Sequence, residues 1–467
     1  MNNMKKKKYD VIIIGAGPAG IFTALELTKK NNISVLILEK GKDIEKRECL
    51  MRSKNGGCFH CSPCEIISGW GGAGAFSDGK LNLSTEIGGQ LDNYIDKDKV
   101  AELIEYADDI YLEFGADKTV YGTDKEEIDI LKKEASLAKL KLIPTRIRHL
   151  GTEKCVEILK KMQDYLRVKI DIKTGTRVKK ILVEKKRAIG IETEKGEIIK
   201  GKYIVAMPGR AGSEWLKEQA EAMDIKIANN PVDVGVRVEV PAVVMKRLTD
   251  AIYESKLVYY TQMFDDRVRT FCMCPYGEVV TEFSDGISSV NGHSYQEHRT
   301  DNTNFAILVS TNFTEPFKEP IAYGKYIAHL ANILSGGVIV QRLGDLELGR
   351  RSTPDRLTHS IVKPTLRKAT PGDLSFVLPY RILSDILEML KAMDKIAPGV
   401  YSKNTLLYGV EVKFYSSRLE LSGCLETKVA NLFAAGDGAG ITRGLIQAST
   451  SGIIVANEIL KRRNKNK

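Results

Sequence analysis

The stretch "YDVIIIGAGPAGIFTALELTKKNNISVLILEK", residues 9–40, decides the fold. Val11 to Ile14 are four apolar, β-branched residues, as a strand buried on both faces requires. Gly15, Gly17 and Gly20 then form G-x-G-x-x-G, with Pro18 and Ala19 inside it. The first glycine permits a tight turn, the second lets a pyrophosphate approach the backbone, and the third lets a helix pack closely on the strand. Ile21, Ala24, Leu25 and Leu27 recur at helical spacing, and "SVLILE" reads as a second strand ending at Glu39. That acid stands 24 positions after Gly15, near the distance at which a carboxylate grips a ribose. Lys40 follows and completes the candidate set. The spacing therefore predicts a βαβ dinucleotide-binding unit. Its helix N-terminus would stabilise phosphates through free N–H groups. Glu39 would repel a 2′-phosphate, which disfavours NADP and leaves FAD or NAD.

The chain has 467 residues, too many for one ordinary core. Its formal charge of +10 sits mainly at the ends: Lys5 to Lys8 supply four positives, and Lys461, Arg462, Arg463, Lys465 and Lys467 supply five. The body between them is close to neutral, so a nucleic-acid partner is not expected. No apolar run approaches the roughly 18 residues that span a bilayer, and the first apolar stretch runs into glycines, not into a cleavage site. A cytoplasmic protein without a membrane partner is the expectation, and its oligomeric state is not readable from the sequence.

The far end chooses between the cofactors. In "TKVANLFAAGDGAGITRGLIQASTSGIIVANEIL", residues 427–460, a short apolar strand leads into Gly436, Asp437 and further glycines, and a helical run starts near Gly444. This resembles the second FAD motif of glutathione-reductase-like flavoproteins. By that resemblance Asp437 would hold the ribityl chain or pyrophosphate, and the backbone at Leu445, Ile446 and Gln447 would face the flavin. A carboxylate accepts a hydrogen bond from a hydroxyl, and a helix N-terminus stabilises the negative charge of a reduced ring. Residues 169–212 alternate apolar and polar between turns, which predicts a β-meander. The same resemblance places Val178 near the adenine, and it matches "AMPG", with Ala206 and Gly209, to the turn after the last strand.

The expected fold class is α/β: a discontinuous Rossmann-like FAD-binding domain with a β-meander, plus a second, strand-rich α+β domain. Residues 1–225 would form the first part, with a helical insertion at about 96–150. Residues 226–404 would be a substrate or cap domain that covers the flavin, and 405–467 would complete the FAD domain. Residues 226–404 hold no second G-x-G-x-x-G, and no C-x4-C redox pair is present, so NAD(P)H, if used, would bind as a transient reductant or in a site without a recognisable motif. The runs "GWGGAGAFSDGKLN", "RTFCMCPYGEVV" and "FAAGDGAGITRGLIQA" resemble a poorly characterised family of bacterial and archaeal FAD-dependent dehydrogenases. That resemblance implies FAD and redox chemistry without naming a substrate.

Between the two motifs lies "CFHCSPC", residues 58–64. Cys58, Cys61 and Cys64 repeat the start of a ferredoxin-type run, and Cys49, Cys272 or Cys274 would be the fourth ligand of an iron–sulfur cluster. A zinc site with His60, a redox dithiol, or plain reduced thiols are the alternatives. In the glycine run that follows, Gly71 and Gly72 allow a cofactor to approach the backbone, while Ser77 and Lys80 offer a hydroxyl and a positive charge. Cys272 and Cys274 alternate on an expected strand, and His293 lies in a turn-like stretch. These three are the candidate catalytic residues. The function read from the chain is an FAD-dependent oxidoreductase acting on a small molecule or electron carrier. A flavin-dependent RNA-modifying protein and a non-catalytic FAD-stabilised partner are the alternatives.

Overall fold

The computed structural model describes residues 8–30, 32–49, 61–228, 230–284, 286–294, 299–311, 319–414 and 416–465. The chain divides into two compact units, one of residues 1–119, 148–230 and 415–467, the other of 120–147 and 231–414. The expected helical insertion at 96–150 is therefore parted between them. Helix Lys97–Glu113 stays with the first unit, and 120–147 joins the second. The second unit also runs on to 414, because its strand Leu406–Lys413 is an interior member of its sheet.

In the first unit, strand β1 (Lys8–Ile14) leads through the glycine turn into helix α1 (Pro18–Thr28), and the chain returns as strand β2 (Val35–Leu38). β1 and β2 pair in parallel, Val11 opposite Val35 and Ile14 opposite Leu38. On its other side β1 pairs in parallel with Ile198–Ala206. That strand is flanked first by the antiparallel meander strands Arg187–Thr193 and Val178–Glu184, and further along by Leu432–Ala434. Among the described residues the sheet has seven strands. The apolar run of β1 follows from its place at the centre of this sheet, where both of its faces are covered.

Helix α1 lies against the C-terminal helix Leu445–Lys465, and small residues set the approach. A Cβ on Gly452 would stand 2.2 Å from the Ala19 carbonyl oxygen. Thr23 Oγ1 donates to the carbonyls of Ala19 at 2.8 Å and Gly452 at 3.1 Å.

The second unit is built on a sheet with, among the described residues, eight strands, antiparallel except for the parallel pair Ile339–Arg342 and Thr370–Pro371. "VDVGVRVEV" becomes the long strand Val232–Pro241. Its valines point into an apolar core with Phe305, Ile307, Val309 and helix Tyr380–Met393. Its alternate residues, Asp233, Arg237 and Glu239, are buried as well, on the opposite face. There Arg237 Nε donates to Glu411 Oε2 at 2.8 Å, and both side chains are wholly buried. Glu239 accepts from Thr365 Oγ1 at 2.6 Å and Tyr408 Oη at 2.5 Å. One sheet thus has an apolar buried face and a polar buried face. A buried charge is tolerated only when it is paired and hydrogen-bonded.

The apolar side also holds Asp385, wholly buried on helix Tyr380–Met393. Burial, then the neighbouring Asp266 carboxylate, pushes its carboxyl up to about 7, while Arg381 pairs with Asp266. The folded state holds this proton and the unfolded chain releases it near pH 4. The Asp385 contribution is therefore complete below about pH 4, falls as the pH rises towards about 7, and is gone above that. Urea denaturation at pH 5 and 8 should show this loss in the native protein, and Asp385→Asn should flatten it.

Candidate functional site

The glycine turn after β1 is shaped by contacts on every side. Gly15 takes a φ of +108°, and a Cβ there would lie 2.1 Å from the Met207 carbonyl oxygen. A Cβ on Gly20 would meet the Gly15 carbonyl oxygen at the same distance. Gly17 differs: a Cβ there would find no heavy atom within 4 Å. Gly17 is also the N-cap of α1, with no side-chain cap and with Pro18 at the first position. Among the described residues the helix start thus opens onto free space, as a phosphate cradle requires.

Glu39, at the end of β2, is buried, and its carboxylate accepts from three backbone N–H groups. Oε2 accepts from Ala16 N at 2.9 Å, and Oε1 accepts from Gly41 N at 2.8 Å and Gly69 N at 3.0 Å. Glu39 thus has a structural task, since it ties the glycine turn, the end of β2 and the second glycine run together. Its neighbour Lys40 donates to the Ala211 carbonyl at 2.8 Å.

The second glycine run is brought to the first. Gly71 N donates to Ala16 O at 2.7 Å, and a Cβ on Gly72 would stand 3.3 Å from Gly17 Cα. A Cβ on Gly74 would be 2.6 Å from Leu445 Cδ2. Arg47, not singled out in the sequence, anchors this run from behind. Its guanidinium donates to the carbonyls of Glu65, Ile66 and Trp70 at 2.6–2.9 Å, and burial lowers it to about 10. Ser77 Oγ donates to Gly74 O at 2.9 Å, and Lys80 is buried in an ion pair with Asp78 at 2.9 Å. Both groups are thus engaged within their own loop.

The C-terminal motif reaches the same edge of the sheet. A Cβ on Gly436 would lie 3.1 Å from Ala19 Cβ, and one on Gly438 would lie 2.6 Å from Gly209 O. The "AMPG" turn, with Ala206 and Gly209, therefore sits between the two glycine motifs. Gly209 has a φ of +64°, and a Cβ there would again find no heavy atom within 4 Å. Asp437 accepts from Thr442 Oγ1 at 2.7 Å, and Arg210 Nε stands 3.7 Å from it. Burial raises its carboxyl above the ordinary range, with Arg210, Thr442 and Arg443 acting against that.

Helix Leu445–Lys465 begins directly after Gly444. Gln447 does not send its side chain outward: Nε2 donates to the carbonyls of Ser84, Thr85 and Ile87 at 2.9–3.3 Å. Arg443 N donates to Gly88 O at 2.7 Å and Gln90 N to Ile441 O at 2.9 Å. Residues 84–90 are thus clasped to the helix start, a role that the doublet Gly88–Gly89 signals only in hindsight. Val178 opens its meander strand and is buried. The segment before it runs beside the end of β2, with Thr176 N donating to Glu39 O at 2.8 Å.

Cys58 and His60 lie outside the described residues. Cys49 and Cys64 are partly buried and Cys61 is exposed, all as free thiols. Among the described residues none of the three belongs to a cluster of three metal-ligating groups. Cys155 is buried, and its thiol is pushed up to about 12 by that burial. His293 is not in a turn: it ends strand Ile287–His293 and pairs with Glu278. Cys272 and Cys274 end strand Arg267–Cys274 in the second unit.

The residues of the first unit fit FAD. They offer an open helix start for pyrophosphate, room at Gly17 and Gly209, and a part-buried carboxylate beside Arg210 at the second motif. Over residues 231–414 the chain matches the family described as FAD-dependent protein, C-terminal domain-like, and over 13–44 the NAD(P)-binding Rossmann-like domain. By these matches the chain carries the domains of an FAD-dependent protein. It is similar to an uncharacterized protein of Clostridium beijerinckii, 29% identical over 481 residues, covering 97% of this chain and 80% of that one. Among solved structures it is similar to L-proline dehydrogenase from P. horikoshii, with 15% identity, 98% and 94% of the two chains covered and a TM-score of 0.42. It is also similar to a variant of formate oxidase from Aspergillus oryzae RIB40, with 11% identity, 99% of each chain covered and a TM-score of 0.46. Among the described residues no helix is long and apolar enough to cross a membrane.

Removing the Glu39 carboxylate orphans three backbone donors. Glu39→Ala should cost about 3 kcal/mol or more of stability, since hydrogen bonds to a charged group are worth roughly 1.5–3 kcal/mol each. Urea denaturation reads this directly, and an unchanged midpoint would remove the anchoring role. Asp437→Ala should fold and lose FAD, read as the ratio of flavin to protein absorbance after gel filtration.

Proposed function

We propose that the protein moves hydride between a small-molecule substrate or electron carrier and bound FAD, with NAD(P)H as a transient reductant. The observation that supports this best is the meeting, at one edge of one sheet, of the open start of α1, the Asp437 turn and the start of helix Leu445–Lys465. FAD supplies a ring that takes up and releases hydride, and the chain supplies its place and its electrostatics.

In this reading Gly17 lets backbone approach the pyrophosphate, Gly15 and Gly20 keep the turn and helix tight behind it, and the N–H groups of the helix start are directed to it. Glu39 holds Ala16, Gly41 and Gly69 in register and keeps a remaining lone pair for a ribose hydroxyl. Asp437 accepts from a ribityl hydroxyl, with Thr442 and Arg210 fixing its orientation. Gln447 holds residues 84–87 beside the helix start, so that the backbone N–H groups of Leu445 and Ile446 stay in place where negative charge develops. Gly71 and Gly72 leave room on the near side. The partner in turnover is a small molecule, and the compartment is the cytoplasm.

Anaerobic stopped-flow mixing of the holoprotein with NADH and with NADPH tests the reductant. Bleaching of the flavin by NADH or NADPH is expected. If both leave the visible spectrum unchanged while dithionite bleaches it, the nicotinamide reading fails and the reductant is a different molecule.

A further inference from the structure

The strand Arg267–Cys274 enters the second unit's sheet in regular alternation. Val268 points into the apolar core and is paired with Val309. Thr270 is buried on the same side of the strand as Val268, two positions on. Continuing that alternation would send Cys272 and Cys274 towards this core as well. The strand does not continue it. Pairing passes from Phe271 opposite Ala306 to Cys274 opposite Asn304, so one extra residue is inserted. Cys272 takes a φ of +44°, a left-handed conformation disfavoured for a residue with a Cβ. Met273 becomes the core residue and is wholly buried.

The bulge turns both cysteines onto the polar face. Cys274 is directly opposite Asn304, whose Oδ1 accepts from Arg237 Nη1 at 2.7 Å. The same Nη1 donates to the Cys272 carbonyl at 3.0 Å. The two sulfurs lie within 4.8 Å of each other. Arg237 and Lys413 on this face both contact the single carboxylate of Glu411, and Arg269 pairs with Asp233 there. Burial opposes the charge on Arg237, but Glu411 outweighs it, and negative charge on either cysteine favours it further. Lys413 responds to Cys272 in the same way. A cysteine placed only to fill a core needs neither a strained backbone nor cations, whereas a thiolate is favoured by nearby positive charge.

We propose that Cys272 and Cys274 are a redox-active dithiol that reduces a small organic disulfide and closes to an intramolecular disulfide. Cys272 is the more exposed of the two and makes the first attack. Its thiolate sulfur bonds to one sulfur of the substrate, the substrate S–S bond breaks, and the departing half leaves as a thiolate that takes up a proton. The Cys274 thiol then loses its proton and bonds to Cys272 Sγ, which expels the second half as a thiol. Two protein thiols are oxidised and one small disulfide is reduced to two thiols, with no other reactant. The extra strand residue serves this exchange by bringing two sulfurs separated by one residue close together.

Tryptic cleavage at Arg269 and Arg299 releases residues 270–299, which hold Cys272 and Cys274 and no other cysteine. The reduced holoprotein is incubated with glutathione disulfide, alkylated with iodoacetamide and digested without reductant. The expected peptide carries no alkyl group and is lighter than the dithiol form by two hydrogens. Cys274→Ser should instead trap glutathione on Cys272, and Cys272→Ser should yield no closed peptide. A wild-type peptide alkylated on both cysteines, or one carrying glutathione without closure, overturns the proposal. The readout is independent of the flavin, so it stands or falls separately from the FAD chemistry.

Discussion

One buried carboxylate organises the first unit. Glu39 accepts from the N–H groups of Ala16, Gly41 and Gly69, three donors from three segments that meet nowhere else in the sequence. Each of these N–H groups would otherwise be left unpaired in a buried turn, and such groups are costly. The second glycine run therefore lies beside the first, and the C-terminal motif packs on α1 through Gly436 and Gly452. Remove the carboxylate and these three N–H groups lose their shared acceptor. The free space at Gly17 and Gly209 is the remainder left by this packing, and it lies where a dinucleotide needs backbone without side chains.

The second unit solves a different problem. Its sheet buries both faces, but only one is apolar. The other carries Arg237, Glu239, Glu411 and Lys413, and the pairs among them are closed by Asn302, Asn304, Thr365 and Tyr408. Such a face contributes little stability over an apolar one, because desolvation offsets most of the attraction. It imposes specific geometry instead, and the bulge at Cys272 places two thiols within that geometry.

Most of the first unit was legible in the chain. The apolar run of β1, the three glycines and the acid after β2 are local signals, each tied to one backbone requirement. Helix Thr152–Arg167 carries an amphipathic period in its sequence, "TEKCVEILKKMQDYLR", a signal written in consecutive positions. The site was legible by residue type more than by contact. Gly209, Gly436 and Gly438 pack at one edge of the sheet, while Gln447 turns to the carbonyls of residues 84–87 and Ser77 and Lys80 turn to partners near them in sequence. Arg47 and the clasp at residues 84–90 left no periodic mark. His293 falls on a strand because its partner Glu278 lies across a hairpin, and the local turn-like composition does not record that pairing.

By itself the sequence determined the βαβ unit, the two nucleotide motifs and the flavin class, since each depends on backbone freedom or periodicity within a few tens of residues. Tertiary structure alone decided that Glu39 binds backbone from three segments, that residues 120–147 belong with the second unit, and that Cys272 and Cys274 leave the core side of their strand. Those outcomes depend on which distant donor, strand or cation arrives opposite a given residue. Strand register and hydrogen-bond partners are properties of the folded neighbourhood, and a one-residue bulge reverses a side chain's direction without changing its composition.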